Sequence, residues 1–125
     1  MRQSVTYQET YQNAKVNEGA RQITYDQLVR IQHSGERYLL LDVLPESSYR
    51  SGHIESSASF PVDTITKETA QRRLAKDSRI IVYCASFNCP ASTIAARRFS
   101  ELGYTVLDYK GGLKDWQDKG NTLIR

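Results

Sequence analysis

The sequence predicts an α/β fold, a three-layer α/β/α sandwich around a five-stranded, mainly parallel sheet. Two continuous apolar runs, Tyr38-Leu39-Leu40-Leu41-Asp42-Val43 and Arg79-Ile80-Ile81-Val82-Tyr83, have the make-up of strands covered on both faces. Segments of helical periodicity alternate with these and with weaker strand signals. That alternation marks crossover connections between parallel strands.

The elements follow in order. Thr6-Tyr7-Gln8-Glu9 is a capping box, and Tyr7, Tyr11 and Ala14 continue at helical spacing, so a helix is expected over 6–17 with Gly19 as its stop. Gln22-Ile23 is a brief strand. Thr24-Tyr25-Asp26-Gln27 is a second capping box, opening a helix that carries Leu28 and Ile31 and stops near Gly35. After the first apolar run the chain turns polar until Ala58-Ser59-Phe60, a short strand ahead of Pro61. Residues 64–76 are expected as helix, 79–83 as strand, and 90–102 as a helix with Ala91, Ala95, Phe99 and Leu102 on one stripe. Thr105-Val106-Leu107 is the fifth strand, and Gly111-Gly112 breaks the chain before a last helical turn bearing Leu113 and Trp116. With 125 residues the chain suits one core, divided as an N-terminal helical extension (1–20), a main domain (21–120) and a C-terminal tail (121–125).

Composition excludes several classes of function. A net charge of +3, from 17 basic and 14 acidic residues in mixed order, is too small and scattered for nucleic acid. No apolar run approaches the ~20 residues of a membrane span, and the polar start MRQSVTYQET lacks the apolar stretch of a secretory signal, so a soluble cytoplasmic protein is expected. Two cysteines are too few for a disulfide scaffold and are better read as reactive thiols. His33 and His53 stand at no zinc-like spacing from them, so neither a metal nor a cofactor is expected.

The chemistry concentrates at Val82-Tyr83-Cys84-Ala85-Ser86-Phe87-Asn88-Cys89-Pro90-Ala91-Ser92. A buried strand delivers the Cys84 thiol to the carboxyl edge of the sheet, where open α/β sheets bind ligands. A short loop follows, and a helix begins with Pro90 in its first position. Loop amides and the helix N-terminus would converge on an anion there and lower the thiol pKa toward neutrality. Ser86, Asn88 and Ser92 are candidate hydrogen-bond donors to that anion, with the backbone of Ala85 and Phe87 in the same cradle. Lys110, just past the last strand, is a candidate cation. Cys89, at the expected N-cap, could be a second nucleophile, a resolving thiol or a passive loop residue. Asp42 is expected to hold a turn and His53 to be a hydrogen-bonded structural residue.

Beyond that loop, several separated motifs resemble a rhodanese homology domain in order and spacing. They are Leu40-Leu41-Asp42-Val43, Tyr49 with Gly52-His53-Ile54, Ala58-Ser59-Phe60-Pro61, Ile81-Val82-Tyr83-Cys84, Leu102-Gly103-Tyr104-Thr105-Val106, and Gly111-Gly112-Leu113 with Trp116. The match spans roughly residues 22–120 and is similar to bacterial single-domain sulfurtransferases, in a subgroup with a second cysteine in the active-site loop. The resemblance implies that Cys84 attacks a sulfane sulfur donor such as thiosulfate and passes its outer sulfur to cyanide, a thiol or a protein acceptor. Four departures stand out, one of them Gly52-His53-Ile54-Glu55-Ser56-Ser57-Ala58 in place of Gly-His-Ile-Pro-Gly-Ala. Ala85 and Cys89 occupy places where many active rhodaneses carry basic residues. Asp42-Val43-Leu44 replaces Asp-Val-Arg. The stretch from Cys84 to Ser92 is two residues longer than usual. Fewer cations imply weaker recognition of thiosulfate and a larger place for persulfide donors.

Three rivals remain. A cysteine phosphatase needs an arginine closing the loop, and none lies between Cys84 and Arg97. A dithiol redox protein would use Cys84 and Cys89. A silent module would keep the fold and only bind a partner.

Overall fold

The computed structural model describes residues 6–125. Of the N-terminal extension expected over 1–20, residues 1–5 lie outside the described residues.

The capping-box helix at the start is shorter than its periodicity predicts. Helix α1 (Thr6–Asn13) ends before Ala14, and Lys15–Asn17 forms a strand, β1, paired antiparallel with β2 (Ala20–Ile23). The cause is the turn between them. Glu18 (φ 55°) and Gly19 (φ 80°) are both left-handed, the pair of conformations that matches the twist of a two-residue hairpin. Gly19, expected as a helix stop, is a hairpin turn residue. The sheet therefore has six strands instead of five.

Helix α2 (Tyr25–His33) carries the expected capping box: the Gln27 amide donates to Thr24 Oγ1 at 3.2 Å, and the Thr24 amide donates to Gln27 Oε1 at 2.8 Å. Strand β3 (Leu39–Asp42) and β5 (Arg79–Tyr83) take up the two apolar runs. Between β3 and β4 (Ala58–Ser59) lies a short helix, α3 (Glu46–Ser51), in the stretch that reads as turn-rich. It buries no residue, so it leaves no apolar periodicity in the sequence. Residues expected as one helix over 64–76 divide into a 3₁₀ turn at Val62–Thr64 and helix α4 (Lys67–Arg73). The Thr66 hydroxyl accepts from the Thr69 amide and sets the start of α4. Helix α5 (Ala91–Glu101), strand β6 (Thr105–Tyr109) and helix α6 (Gly112–Asp118) complete the chain.

The strand order is β1-β2-β6-β5-β3-β4, with every neighbouring pair beyond the β1–β2 hairpin parallel. Because side chains alternate along a strand, each face of the sheet gathers its own core. On one face Leu41, Ile80, Val82 and Val106 pack against Ala95, Ala96 and Phe99 of α5 and Ala70 of α4. On the other, Leu40, Ile81, Tyr83 and Leu107 pack against Tyr7 of α1, Leu28 and Ile31 of α2 and Trp116 of α6. Each fully buried side chain of this size stabilises the fold by about 1.5–3 kcal/mol relative to exposure. Tyr7 also ties α1 across two strands, donating from its hydroxyl to the Ile80 carbonyl at 2.8 Å and lying 3.3 Å from the Thr105 carbonyl. The expected tail is not free: Ile124 exchanges two backbone hydrogen bonds of 2.9 Å with His53.

Parallel strands put their carboxyl ends along one edge. Cys84 lies one residue past β5 at that edge, and Lys110 one residue past β6.

Candidate active site

The peptide after β5 is held from behind by α6. The Leu113 amide donates to the Cys84 carbonyl at 3.0 Å, and the Lys114 amide donates to the Ala85 carbonyl at 2.9 Å. In a planar trans peptide the C=O and N–H point in opposite directions. Fixing these two carbonyls on α6 therefore turns the amides of Ala85 and Ser86 away from it. The carbonyl of Ser86 then accepts from the Cys89 amide at 3.0 Å, closing a tight turn with Phe87 and Asn88 at its exposed tip. Among the described residues, the amides of Ala85, Ser86, Phe87 and Asn88 make no backbone hydrogen bond, and neither do those of Ala91, Ser92 and Thr93 at the start of α5. These amides are the donors left free for an anion bound at the loop.

The loop is closed over the thiol. Cys84 is 0% exposed, and its Sγ donates to the Cys89 carbonyl at 3.3 Å. Burial pushes the thiol up to about 11; the Cys89 side chain adds to that rise, while the hydroxyl and amide of Ser92 oppose it. This corrects the expectation of a thiol lowered toward neutrality. The Ser92 amide favours the ionised sulfur, but exclusion of water outweighs it in the closed loop.

The remaining candidates divide by face and by partner. Ser92 is buried at the start of α5, one residue after the Ala91 that begins the helix. Pro90 is already in the α-region but precedes the first helical residue, so the helix starts one position later than expected and Cys89 lies before the cap. Lys110 is not a free cation for a substrate: its ammonium donates to the Cys89 carbonyl, the same oxygen that accepts from Cys84. It anchors the loop. Phe87 is 63% exposed and, with Tyr25, Tyr109, Lys110 and Gly111, lines a groove of about 310 Å³ beside the loop.

Asp42 and His53 belong to the opposite face. Alternation along β3 sends Leu40 and Asp42 to the face of α1, α2 and α6, away from the face of Cys84. Asp42 Oδ1 accepts from the Leu44 amide at 3.0 Å and so shapes the turn after β3; burial raises its pKa, opposed by Tyr83, Leu44 and His53. His53 stacks on Tyr49 with ring centroids 3.7 Å apart, and its Nδ1 lies 2.8 Å from the Tyr49 carbonyl. Neither residue meets the sulfur.

Two residues border the site that the sequence did not assign to it, Gly112 being read there as a chain break and a family motif residue and Asp108 not at all. Gly112 carries φ +63°, and Asp108 is a fully buried acid on β6. Asp108 Oδ2 accepts from the Thr93 hydroxyl at 3.1 Å. Burial raises its pKa, against the pull of Ser92, Lys110 and Thr93. A carboxylate near the end of a strand covered on both faces is the signal available there, close to the one that singles out Asp42 at the end of β3.

Comparison with known proteins brings this geometry into a family context. The pattern of the rhodanese-like domain family matches residues 24–119. An HTH-type transcriptional regulator of Mycobacterium tuberculosis, Rv0324, is 30% identical over 98 residues, 78% of this chain and 42% of the regulator. The chain thus spans less than half the length of that relative. The thiosulfate sulfurtransferase PspE of Escherichia coli is 29% identical over 75 residues, 60% of this chain and 70% of that protein. Among solved structures, a protein from Bacillus halodurans superposes with a TM-score of 0.74 at 29% identity, covering 82% of this chain and 75% of that one. The solution structure of a rhodanese-like domain from an Anabaena protein superposes with a TM-score of 0.72 at 27% identity, covering 82% and 77%.

Proposed function

The chain belongs to the rhodanese-like family, and from that premise we propose that it is a sulfurtransferase working through a persulfide on Cys84. It takes sulfane sulfur from thiosulfate or a persulfide donor and hands it to a thiol, a protein or cyanide. One observation carries the proposal: the Cys84 sulfur, one residue past β5, meets the Ser92 amide at the start of α5, beside loop amides that have no backbone acceptor. Such donors stabilise a terminal persulfide anion, and covalent storage of the sulfur splits one transfer into two easier steps. Burial of Cys84 adds an opening step. The Ser86–Cys89 turn must lift, breaking the contacts that Cys84 and Lys110 make with the Cys89 carbonyl.

The test is intact-mass analysis after incubation with thiosulfate or glutathione persulfide. One added sulfur, ~32 Da, is expected on a peptide containing Cys84. Cys84→Ser should abolish loading and Cys89→Ser should preserve it. No adduct with either donor would remove the proposal, and the reverse variant pattern would make Cys89 the nucleophile.

A second reading is favoured by one contact. Cys84 donates to the backbone of Cys89 itself, so one turn holds both thiols and a dithiol redox role has a seat. A Cys84–Cys89 disulfide forming under mild oxidation, with no persulfide from any donor, is the outcome that would select it.

A further inference from the structure

The buried face behind Cys84 carries polar atoms that packing does not need. Along β6, Val106 joins the α5-side core, Leu107 the opposite one, and Asp108 returns to the α5 side, in register with Val82 two residues before Cys84. Asp108 is 0% exposed, and so is Ser92. Asp108 Oδ1 and Ser92 Oγ have no hydrogen-bond partner among the described residues, nor does Nε2 of Gln22, which stands in register with Asp108 on β2. Thr93, the residue after Ser92, donates to Asp108 Oδ2 and so sets the carboxylate against the first turn of α5, on the side of the sheet that carries Cys84; the Ser92 hydroxyl favours the ionised form of both Cys84 and Asp108. Buried polar atoms are satisfied in the great majority of cases, so two orphans beside a nucleophile call for an explanation in its chemistry.

We propose that Asp108 holds the proton that Cys84 gives up, received through the Ser92 hydroxyl, so that thiol and carboxyl share one negative charge through each transfer. This rests on the sulfurtransferase reading for its context. Other groups face the pair from each side. Lys110 past β6 attracts the carboxylate, and Cys89 in the loop faces the Cys84 sulfur. Thr93 of α5 donates to Asp108, and the neutral amide of Gln22 on β2 stands in register with it.

The steps balance. At rest the pair is a thiol and a carboxylate. When the Ser86–Cys89 turn lifts and the Cys84 thiol leaves the Cys89 carbonyl, its proton moves to Ser92 Oγ as the Ser92 proton moves to Asp108 Oδ1. The thiolate electron pair attacks the sulfane sulfur of thiosulfate, the S–S bond to the sulfonate group breaks, and sulfite leaves with that pair. The product is a persulfide anion beside a neutral carboxyl. An acceptor thiolate then attacks the outer sulfur. Cys84 leaves as a thiolate and recovers its proton from Asp108 along the same path. The Cys84–Asp108 pair carries one negative charge throughout.

The test reads the thiol without sulfur transfer. In a Cys89→Ser background, alkylation of Cys84 by iodoacetamide is followed from about pH 6.5 to about pH 8.5. A shared proton makes the reactive fraction nearly independent of pH, so a change of less than about threefold is expected. With Asp108→Asn the rate should climb as for a lone thiol, about tenfold per pH unit and about a hundredfold over the range. Asp108→Glu should restore a flat profile. A tenfold-per-unit climb with Asp108 in place overturns the proposal, and so does a Cys84 that no pH makes reactive. A second measurement needs no variant: difference infrared spectra should show a protonated-carboxyl stretch appearing as wild type is loaded by thiosulfate, and its absence from a loaded protein overturns the proposal. A flat profile with no persulfide from any donor would sink the sulfurtransferase reading and leave proton sharing standing. Normal loading with a climbing profile would do the reverse.

Discussion

A Cβ built on Gly112 would stand 2.2 Å from the carbonyl oxygen of Cys84 and 2.8 Å from its carbonyl carbon. No side chain fits there, and the φ of +63° disfavours one in any case. The close approach is what lets the next two amides, of Leu113 and Lys114, reach the carbonyls of Cys84 and Ala85. Gly112 thus sets the direction of the amides on the other side of the same peptides.

Gly112→Ala is therefore expected to do two things. Left-handed strain and the displaced Cys84 peptide together should cost about 2–4 kcal/mol, lowering the urea midpoint in proportion. Persulfide loading should fall more steeply than stability, because folded molecules would carry a misaligned cradle. A variant with the wild-type midpoint and loading rate would show that the loop does not depend on this contact.

Lys110 controls closure from the other side. Its ammonium and the Cys84 thiol share the Cys89 carbonyl, so removing the charge leaves one weak S–H donor on that oxygen. Lys110→Met keeps the apolar stem. It should stabilise the open loop by about 1 kcal/mol relative to the closed one, a factor of about five in open population. Amide exchange at 85–90 and alkylation of Cys84 should both speed up by that factor. Unchanged exchange at those amides would mean that the loop is held shut by something else.

The parts of this molecule visible in its sequence are those whose causes are local. Strands β3 and β5 follow from unbroken apolar runs, and α2 follows from Thr24 and Gln27 capping each other. Strand β1 was hidden because Lys15, Val16 and Asn17 are all exposed and show no alternation. It exists because of a turn whose backbone, not its side chains, specifies a hairpin. At the site, the place of Cys84 at a strand end was legible from the strand itself. Closure of the loop was not, since it depends on Lys110 and on α6, elements 21 or more residues away in the chain. The direction of the thiol's pKa turned on that same long-range closure. Asp108 lies one residue past the strand expected over Thr105–Leu107, and it joins the buried face because β6 runs on to Tyr109.

The buried thiol should also be visible in the protein's alkaline stability. Burial lifts Cys84 from its ordinary 9.0 to about 11, so between those values the folded chain keeps a proton that the unfolded chain releases. Stability from the neutral buried thiol is then complete below pH 9 and is lost as pH rises through 11, by up to about 3 kcal/mol. Tyr7, Tyr83 and Tyr109 are raised by burial as well, so the wild-type curve alone will fall by more than the thiol's share. Cys84→Ser cancels the tyrosine contribution by carrying it in both proteins. Urea unfolding of the pair at pH values on either side of this window should show the wild type losing its thiol-dependent advantage as the pH rises. A difference that stays constant, or grows in favour of wild type, would place the thiol at or below its ordinary value. In that case the amides of the loop and of α5 would outweigh the loss of water, and the closed loop would already hold a thiolate.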